Sequence, residues 1–445
     1  MLRTLANVIR SNFRMASAPA PRVPIPRNGV DYRGKIVLAP MVRSGELPSR
    51  LMALKYGADL VWGMSFMLKT STIRNKTDWV AGPETIDKAI IGTERHECPD
   101  TGTVYWSRFP SNGVKNPALN PKNKESVIYR IHPELESKKL IYQIGTANPE
   151  LAVQAATIVA GDVAGIDVNS GCPKPFSTSG GMGAALMSTP DLLVSILEAL
   201  VKEVGEKFEI GISVKIRVFP EAERTEALVR RLVKTGITGL TVHCRTRDMR
   251  PRERAIRQQL KMIVDICHEA GVACLMNGDV YSRDEAIELM KEYGADGGMI
   301  ATAAEKNSSV FRAKADGGLA PWKEVVRHYI EAAMSVDNRW GNTKFLLAQL
   351  VPGKDDKYIG MQQCKSHVQM VKALGFEELL ELAVRADARL GLDQPLITKS
   401  MKRAAAREHV KEESKKAKVE VIEATEKNEP PIDTINGAQA AAIAA

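Results

Sequence analysis

The amino-acid sequence predicts an α/β fold in which eight parallel strands form a (β/α)8 barrel, followed by a small helical domain. Short apolar, β-rich runs recur from Lys35 onward, helical segments separate most of them, and the runs number eight. Nearly continuous apolar strands that alternate with helices indicate a parallel sheet covered by helices. Eight units in about 270 residues match a barrel, whereas a doubly wound open sheet, the alternative, usually has fewer.

The segment 67–139 interrupts the alternation between the second and third strands. It contains many turn residues and the run GTERHECPDTGTVYWSRFP, so we predict an insertion with a short hairpin near the barrel mouth or on its flank. The predicted strands are 35–42, 58–66, 140–146, 165–170, 212–218, 239–245, 273–279 and 297–302, and the predicted helices between them include 149–160, 191–204, 223–234, 258–269 and 283–293.

Beyond Ser309 no further strand–helix unit occurs, and helical periodicity predicts a separate small helical domain. The last part of the chain is rich in Lys, Glu and Ala, which predicts a disordered tail. The predicted organisation is an N-terminal arm at 1–30, a catalytic barrel with its insertion at 31–312, a helical domain at 313–392 and a tail at 393–445.

Composition limits the classes of function. The chain has 445 residues, a formal net charge of +9 and a pI near 9.1, which favours a polyanionic partner. It has no run of about eighteen apolar residues, so we expect no membrane span. Its six cysteines form no CxxC pair, which fits a reducing compartment. His96 and Cys98 have the spacing of half a zinc site, but no second half follows, so we expect no metal.

The first thirty residues contain five arginines and no acidic residue. This composition is typical of a mitochondrial presequence, and a disordered basic arm is the alternative. We expect a cytoplasmic or nuclear location, with mitochondria as the alternative that the arm leaves open.

The stretch 165–187, GIDVNSGCPKPFSTSGGMGAALM, holds one cysteine, Cys172, just beyond a predicted strand. Active sites of barrels form at the carboxyl ends of the strands, so this thiol is placed to act as an acid or a nucleophile. The alternative for any single cysteine is a small buried hydrophobic side chain.

Polar residues also occupy the ends of the other predicted strands. Each alone has a structural explanation, but their shared position favours a polar ligand across the barrel mouth, because burial without a partner is costly. The turn after strand seven and the helix start after strand eight are typical of a barrel phosphate site. A Rossmann site is not expected, since GGMGAA at 180–185 lacks the last glycine. The polar or turn residues are Gln143, Asn169, Lys215, Arg217, His243, Arg245, Asn277, Gly278, Asp279, Ala301 and Thr302.

At these residues the sequence resembles the tRNA-dihydrouridine synthases. DVNSGCPKPFSTSGGMGAALM carries the resemblance together with LAPM, VKIR, TVHCRTR and NGD followed by GGMIATAA. It runs from about Lys35 to Leu374, and the GGMGAAL form is most similar to the eukaryotic branch that acts on uridine 20 of the tRNA D-loop. The resemblance implies an FMN-binding TIM barrel followed by a helical domain that binds tRNA. We expect a monomer with no membrane partner.

The resemblance also implies a role for each motif residue. Cys172 matches the catalytic acid, which would protonate C5 of a uracil after hydride transfer from reduced FMN N5 to C6, with NADPH or NADH as the reductant. Gln143 would bond the pyrimidine edge of the flavin, Lys215 would place positive charge beside it, and Asn169 would hold the uracil. The other implied contacts are to FMN from Pro40, Met41, His243, Asn277, Gly278, Asp279, Ala301 and Thr302, and to tRNA from Arg217, Arg245, Lys344 and Lys365.

Two departures from the family pattern stand out. Thr302 occupies a position that often holds arginine, so phosphate binding would depend more on backbone N–H groups, and Ser170 replaces a commoner methionine. We expect no double-stranded-RNA-binding domain after residue 390. Two other functions remain open: an FMN barrel enzyme that reduces a small unsaturated substrate, and a tRNA-binding chaperone without catalysis. The lysine-bearing helical domain disfavours the first, and the Cys172, Lys215 and His243 set disfavours the second.

Overall fold

In a computed structural model of the chain, the described residues are 22–64, 90–109 and 125–393. Most of the predicted arm or presequence, nearly all of the predicted tail, and the insertion segments 65–89 and 110–124 lie outside the described residues. Residues 22–30 run along the amino-terminal end of the barrel. There the Val23 N–H donates to the Gly271 carbonyl at 2.9 Å, and the Asn28 N–H donates to the Glu209 carbonyl at 2.8 Å.

Eight parallel strands close into a barrel in which each strand pairs with the next barrel strand along the chain and the last pairs with the first. The predicted fold class is therefore confirmed, and most strands are slightly shorter than predicted. The strands are Lys35–Leu38 (β1), Leu60–Met64 (β2), Glu94–Cys98 (β3), Thr103–Arg108 (β4), Ser126–Ile131 (β5), Leu140–Ile144 (β6), Gly165–Ser170 (β7), Gly211–Arg217 (β8), Gly239–His243 (β9), Ala273–Asn277 (β10) and Gly297–Ile300 (β11), of which β3, β4 and β5 belong to the insertion.

Helices surround the barrel and build the region after it. Several begin where the sequence supplies a cap: the side chains of Asn148, Ser282 and Ser366 each accept an N–H from the first helical turn. None of the described helices has both the length and the apolar character needed to cross a bilayer. The longer helices are Leu47–Lys55 (α1), Pro149–Val159 (α2), Pro190–Leu200 (α3), Ala222–Leu232 (α4), Leu260–Glu269 (α5), Arg283–Tyr293 (α6), Trp322–Ser335 (α7), Trp340–Leu350 (α8), Asp356–Gln363 (α9), His367–Leu374 (α10) and Leu380–Leu390 (α11).

Two hydrophobic cores hold the barrel together. The larger one lies between the outward faces of the strands and the helices, and the smaller one fills the barrel interior around Tyr32 and Trp62. Tyr32 closes the amino-terminal end, where a Cβ added to Gly239 would lie 2.7 Å from the tyrosine ring. Because apolar side chains fill this end, polar side chains on the same inward faces gather at the carboxyl-terminal end.

The insertion contains a three-stranded antiparallel sheet, one strand more than the predicted hairpin. The added strand, β5, pairs with β4 and buries Ile128, Tyr129 and Ile131. The buried Arg50 of α1 binds this sheet to the barrel: its guanidinium donates to the Arg130 carbonyl at 2.8 Å and to Glu136 at 2.5 Å. The sheet is therefore attached to the barrel through α1, and the sequence had left its place open between the mouth and the flank.

The helices from α7 onward pack against each other and against the barrel helix α1. One compact unit ends at Leu390 and includes both the barrel and these helices. The domain boundaries drawn from the sequence stay predictions. Within the helical region, Asp387 of α11 accepts the His367 ring Nδ1–H at 2.8 Å and the Val368 N–H at 2.9 Å, which joins α10 to α11.

Candidate active site

Cys172 lies two residues beyond β7, and its own loop holds it there. The Asn169 side-chain oxygen accepts the N–H groups of Gly171 at 3.2 Å and Cys172 at 3.0 Å. On the other side, the Cys172 carbonyl accepts the Ala184 N–H at 2.9 Å. The side chain is only partly buried. The thiol is therefore fixed at the carboxyl-terminal edge of the barrel and remains accessible, as an acid or a nucleophile requires.

Arg217 supports this loop from the end of β8. Its buried guanidinium donates to the Gly171 carbonyl at 2.6 Å and to the Thr246 carbonyl at 2.9 Å. Burial lowers the pKa of Arg217 to about 10, although the nearby Cys172 thiol acts in the opposite direction. The side chain is thus engaged in positioning the cysteine loop, and its predicted contact with tRNA stays a prediction.

Lys215 and Asn277 form a second polar group inside the mouth. The Lys215 ammonium donates to the Asn277 side-chain oxygen at 3.0 Å, and the Asn277 amide donates to the Met299 carbonyl at 2.8 Å. Burial, with a contribution from Arg217, lowers the pKa of Lys215 to about 8. An anionic ligand beside this buried ammonium would stabilise its charged form.

Gln143 lies on β6 beside a charged residue that the sequence analysis did not select. Its amide nitrogen donates to a carboxylate oxygen of Asp167 at 2.6 Å, and the Ser213 hydroxyl donates to the other oxygen at 2.7 Å. Burial raises the pKa of Asp167 to about 6, and these hydrogen bonds oppose the rise. The alternation along β7 places Asp167 on the same inward face as Asn169, and that alternation was the signal that could have revealed it.

His243 is held neutral at the end of β9. Burial first, and then the charges of Lys215, Arg217 and Arg245, lower the pKa of His243 far below its ordinary value. Arg245 Nη1 lies 3.2 Å from His243 Nε2. Since an arginine only donates, Nε2 accepts this bond and the ring proton sits on Nδ1. Arg245 also pairs with Asp279 at 2.5 Å, so its predicted contact with tRNA likewise stays a prediction.

A tight turn follows β10 and packs against the His243 ring. Gly278 has a φ of +111° and Asp279 a φ of +49°, so the chain turns sharply at the strand end. A Cβ at Gly278 would lie 3.1 Å from the His243 ring. Arg257, which the sequence analysis missed, donates to the carbonyls of both turn residues at 2.8 Å. The neighbouring strand β11 leads to Ala301 and to an exposed Thr302 at a helix start.

A cleft of about 230 Å³ opens beside this mouth. Of the predicted site residues, Met41 and Asn169 line it, and Pro40 is partly buried just before Met41. Burial raises the pKa of Glu46, another lining residue, to about 7. The wall combines the barrel with the insertion sheet and the segment after α7, and it includes Met41, Glu46, Asn169, Phe176, Tyr129, Arg130, Asn338 and Arg339.

The two predicted lysines of the helical region differ in environment. The Lys344 ammonium donates to the carbonyls of Gln362 at 2.5 Å and Cys364 at 3.1 Å, at the end of α9. This contact gives Lys344 a structural role that its charge alone did not indicate. Lys365 is exposed. Binding of tRNA by either residue stays a prediction.

The carboxyl-terminal end of this barrel holds a thiol, an ammonium and a neutral imidazole. This is the architecture of a (β/α)8 enzyme with its active site at the mouth. A model of the dihydrouridine synthase (Dus) family matches residues 116–349. The chain belongs to this family.

Its relatives include three proteins from two yeasts. A tRNA-dihydrouridine(20) synthase [NAD(P)+] of Schizosaccharomyces pombe is 43% identical over 357 residues, which cover 78% of this chain and 66% of the relative. The tRNA-dihydrouridine(20) synthase [NAD(P)+] of Saccharomyces cerevisiae is 44% identical over 344 residues, which cover 76% of this chain and 82% of the relative. A tRNA-dihydrouridine(20a/20b) synthase of the same yeast is 30% identical over 190 residues, or 43% of this chain and 51% of the relative.

Proposed function

We propose that this chain is a tRNA-dihydrouridine synthase that reduces the C5=C6 bond of a uridine in the tRNA D-loop, at position 20, with FMN and NADPH. The proposal rests on the position of Cys172. This partly accessible thiol is fixed at the end of β7 by Asn169 and by the Ala184 N–H. Two relatives more than 40% identical over most of the chain bear the name of this activity.

The residues at the mouth fit an FMN. Gln143 and Lys215 supply an amide and a cation on inward faces of β6 and β8, which suits the polar edge of an isoalloxazine ring. The Gly278–Asp279 turn and the helix start at Thr302 follow neighbouring strands, β10 and β11, which suits a phosphate. When bound and reduced, the flavin supplies the hydride for uracil C6.

The chain's own residues then have separate tasks. Cys172 donates the proton to uracil C5, and Arg217 and Asn169 hold the loop that carries it. Because the Asn169 oxygen accepts two backbone N–H groups, its amide NH₂ end is directed away from them and donates to a uracil carbonyl. Burial lowers the pKa of Lys215 to about 8, and a negative partner beside it would stabilise its charged form.

The substrate uridine must leave its base stack to reach Cys172. The cleft that Met41 and Asn169 line is the proposed route, and Arg130 and Arg339 on its wall supply positive charge for the RNA backbone. NADPH or NADH as the reductant, a monomeric state and a cytoplasmic or nuclear location complete the proposal. Sedimentation of the purified protein tests the monomer, and imaging of the tagged full chain tests the location.

The proposed activity is tested with purified protein and unmodified tRNA transcripts. The protein should carry FMN and should form dihydrouridine at position 20 when NADPH is supplied. Reduction of a small enone without any activity on tRNA would overturn the substrate assignment, and purified protein that neither carries nor binds FMN would overturn the reaction.

A further inference from the structure

We propose that Asp167 is a positioning residue that fixes the orientation of the Gln143 amide and thereby sets the affinity of the barrel for its flavin. This inference rests on the proposed function, since it concerns the cofactor of that reaction. It assigns a task to a charged residue that lies inside the barrel and has no part in the chemistry described above.

The geometry leaves one orientation for the amide. Gln143 on β6, Asp167 on β7 and Ser213 on β8 are aligned side by side in the register of three adjacent strands. Their exposed fractions are 3%, 0% and 2%. An ionised carboxylate has no hydrogen to donate, so the Gln143 group 2.6 Å from Asp167 is the NH₂ end. The amide oxygen of Gln143 must therefore point elsewhere.

This orientation has a chemical consequence at the mouth. One hydrogen of the Gln143 NH₂ group bonds to Asp167, so the amide keeps one acceptor oxygen and one further N–H for a ligand. That pair is complementary to the imide edge of a flavin, where a ring N–H stands beside a carbonyl oxygen. The reversed amide would set its NH₂ group against the ring N–H and leave a buried donor without a partner, which is costly.

The free-energy cost of burying the ionised Asp167 carboxylate argues against a purely structural role for this residue. Burial raises the pKa of Asp167 to about 6, so keeping this carboxylate ionised at neutral pH opposes folding. A neutral hydrogen-bonding side chain would link β6 to β8 without that free-energy cost. An acceptor that cannot turn into a donor is what an amide with a fixed orientation requires.

A double-mutant cycle on FMN binding tests the inference. FMN is titrated into FMN-free protein, and quenching of flavin fluorescence gives the Kd for the wild type, Asp167→Ala, Gln143→Ala and the double variant. Each single substitution should raise the Kd about tenfold, and the double variant should be no weaker than Gln143→Ala alone within about threefold, because Asp167 acts through Gln143. Independent effects that multiply in the double variant would overturn the inference.

Two further variants serve as controls. Ser213→Ala removes the other donor to Asp167 and leaves the Gln143 contact, so its Kd should stay within about threefold of the wild type. Asp167→Asn can present either its oxygen or its NH₂ group to Gln143, because the Ser213 hydroxyl can accept as well as donate, so it no longer holds the Gln143 amide in one orientation. Its Kd should exceed that of the wild type by about threefold or more, and the absorption spectrum of the bound flavin should change. A Kd and a spectrum equal to those of the wild type would also overturn the inference.

Failure to fold is separated from failure to bind. If Asp167→Ala does not fold, Asp167→Val, which fills a similar volume, takes its place in the cycle, and thermal unfolding is recorded for every variant. Wild-type protein that binds no FMN contradicts the proposed function itself. Wild-type binding with an unchanged Kd in Asp167→Ala contradicts only the role of Asp167.

Discussion

Replacing Gly183 by alanine should displace Cys172 and abolish most of the activity. Gly183 has a φ of +58°, and a Cβ there would lie 2.5 Å from the Cys172 carbonyl oxygen and 2.3 Å from Ser177 Oγ. Contacts of a Cβ below 3.0 Å are essentially never seen, so the Cys172 carbonyl must retreat by about 0.5 Å, the difference between 3.0 and 2.5. The same carbonyl accepts the Ala184 N–H, and that bond would be strained or lost.

Gly181 provides the matched control in the same loop. It also has a positive φ, +76°, but the nearest atom to an added Cβ is Ala147 Cβ at an ordinary 3.4 Å. Both alanine variants carry the left-handed backbone cost of about 1–2 kcal/mol. Only Gly183→Ala adds overpacking, worth about 1–3 kcal/mol. Since misplacing a reacting group by about 1 Å costs about 100-fold, a shift of about half that size should lower kcat by about tenfold, whereas Gly181→Ala should stay within about threefold of the wild type.

The assay is single-turnover formation of dihydrouridine in tRNA, with FMN absorbance and thermal unfolding measured on the same samples. Gly183→Ala should retain FMN, because no contact to the proposed flavin residues changes. If Gly183→Ala turned over as fast as Gly181→Ala, the close packing of Gly183 on Cys172 would have no bearing on catalysis, and the reasoning from the loop geometry would fail.

Two further predictions concern stability. Folding lowers the pKa of Lys215 from 10.5 to about 8, so the unfolded chain holds this proton more tightly. The free energy of unfolding of the FMN-free protein should therefore rise between pH 8 and 10.5 by at most about 3 kcal/mol. Denaturant unfolding of Lys215→Met should lack that rise, and equal pH profiles for the two proteins would contradict the prediction. Gly239→Ala should destabilise the barrel by about 1–3 kcal/mol, because its Cβ meets the Tyr32 ring at 2.7 Å, and should leave kcat of the folded fraction unchanged. Gly161→Ala, with no atom within 4 Å of its Cβ, is the control for Gly239→Ala.

The barrel could be predicted because the sequence pattern that specifies it lies within short, consecutive segments. Apolar runs such as β2 and β10 repeat with intervening amphipathic helices, and that repeat is visible without knowledge of any contact. The positions of Cys172, Lys215 and His243 at strand ends follow directly once the strands are placed.

Contacts between distant segments were beyond such a prediction. The third strand of the insertion, β5, depends on pairing with β4 and on Arg50, which lies outside the insertion. Charge patterns likewise did not show that Lys344 binds the end of α9 or that Arg217 supports the cysteine loop. A basic residue looks the same in sequence whether it meets a phosphate or a backbone carbonyl of its own chain.

The most direct test of the account is a single-turnover comparison of the wild type with Cys172→Ala. Each protein is loaded with FMN, reduced with NADPH without oxygen, and mixed with unmodified tRNA, while flavin absorbance and dihydrouridine at position 20 are followed. The wild type should oxidise its flavin and form dihydrouridine together, and Cys172→Ala should bind the same amount of FMN, accept electrons from NADPH and form dihydrouridine at least about 100-fold more slowly. Equal rates in the two proteins would contradict the role of Cys172 as the proton donor.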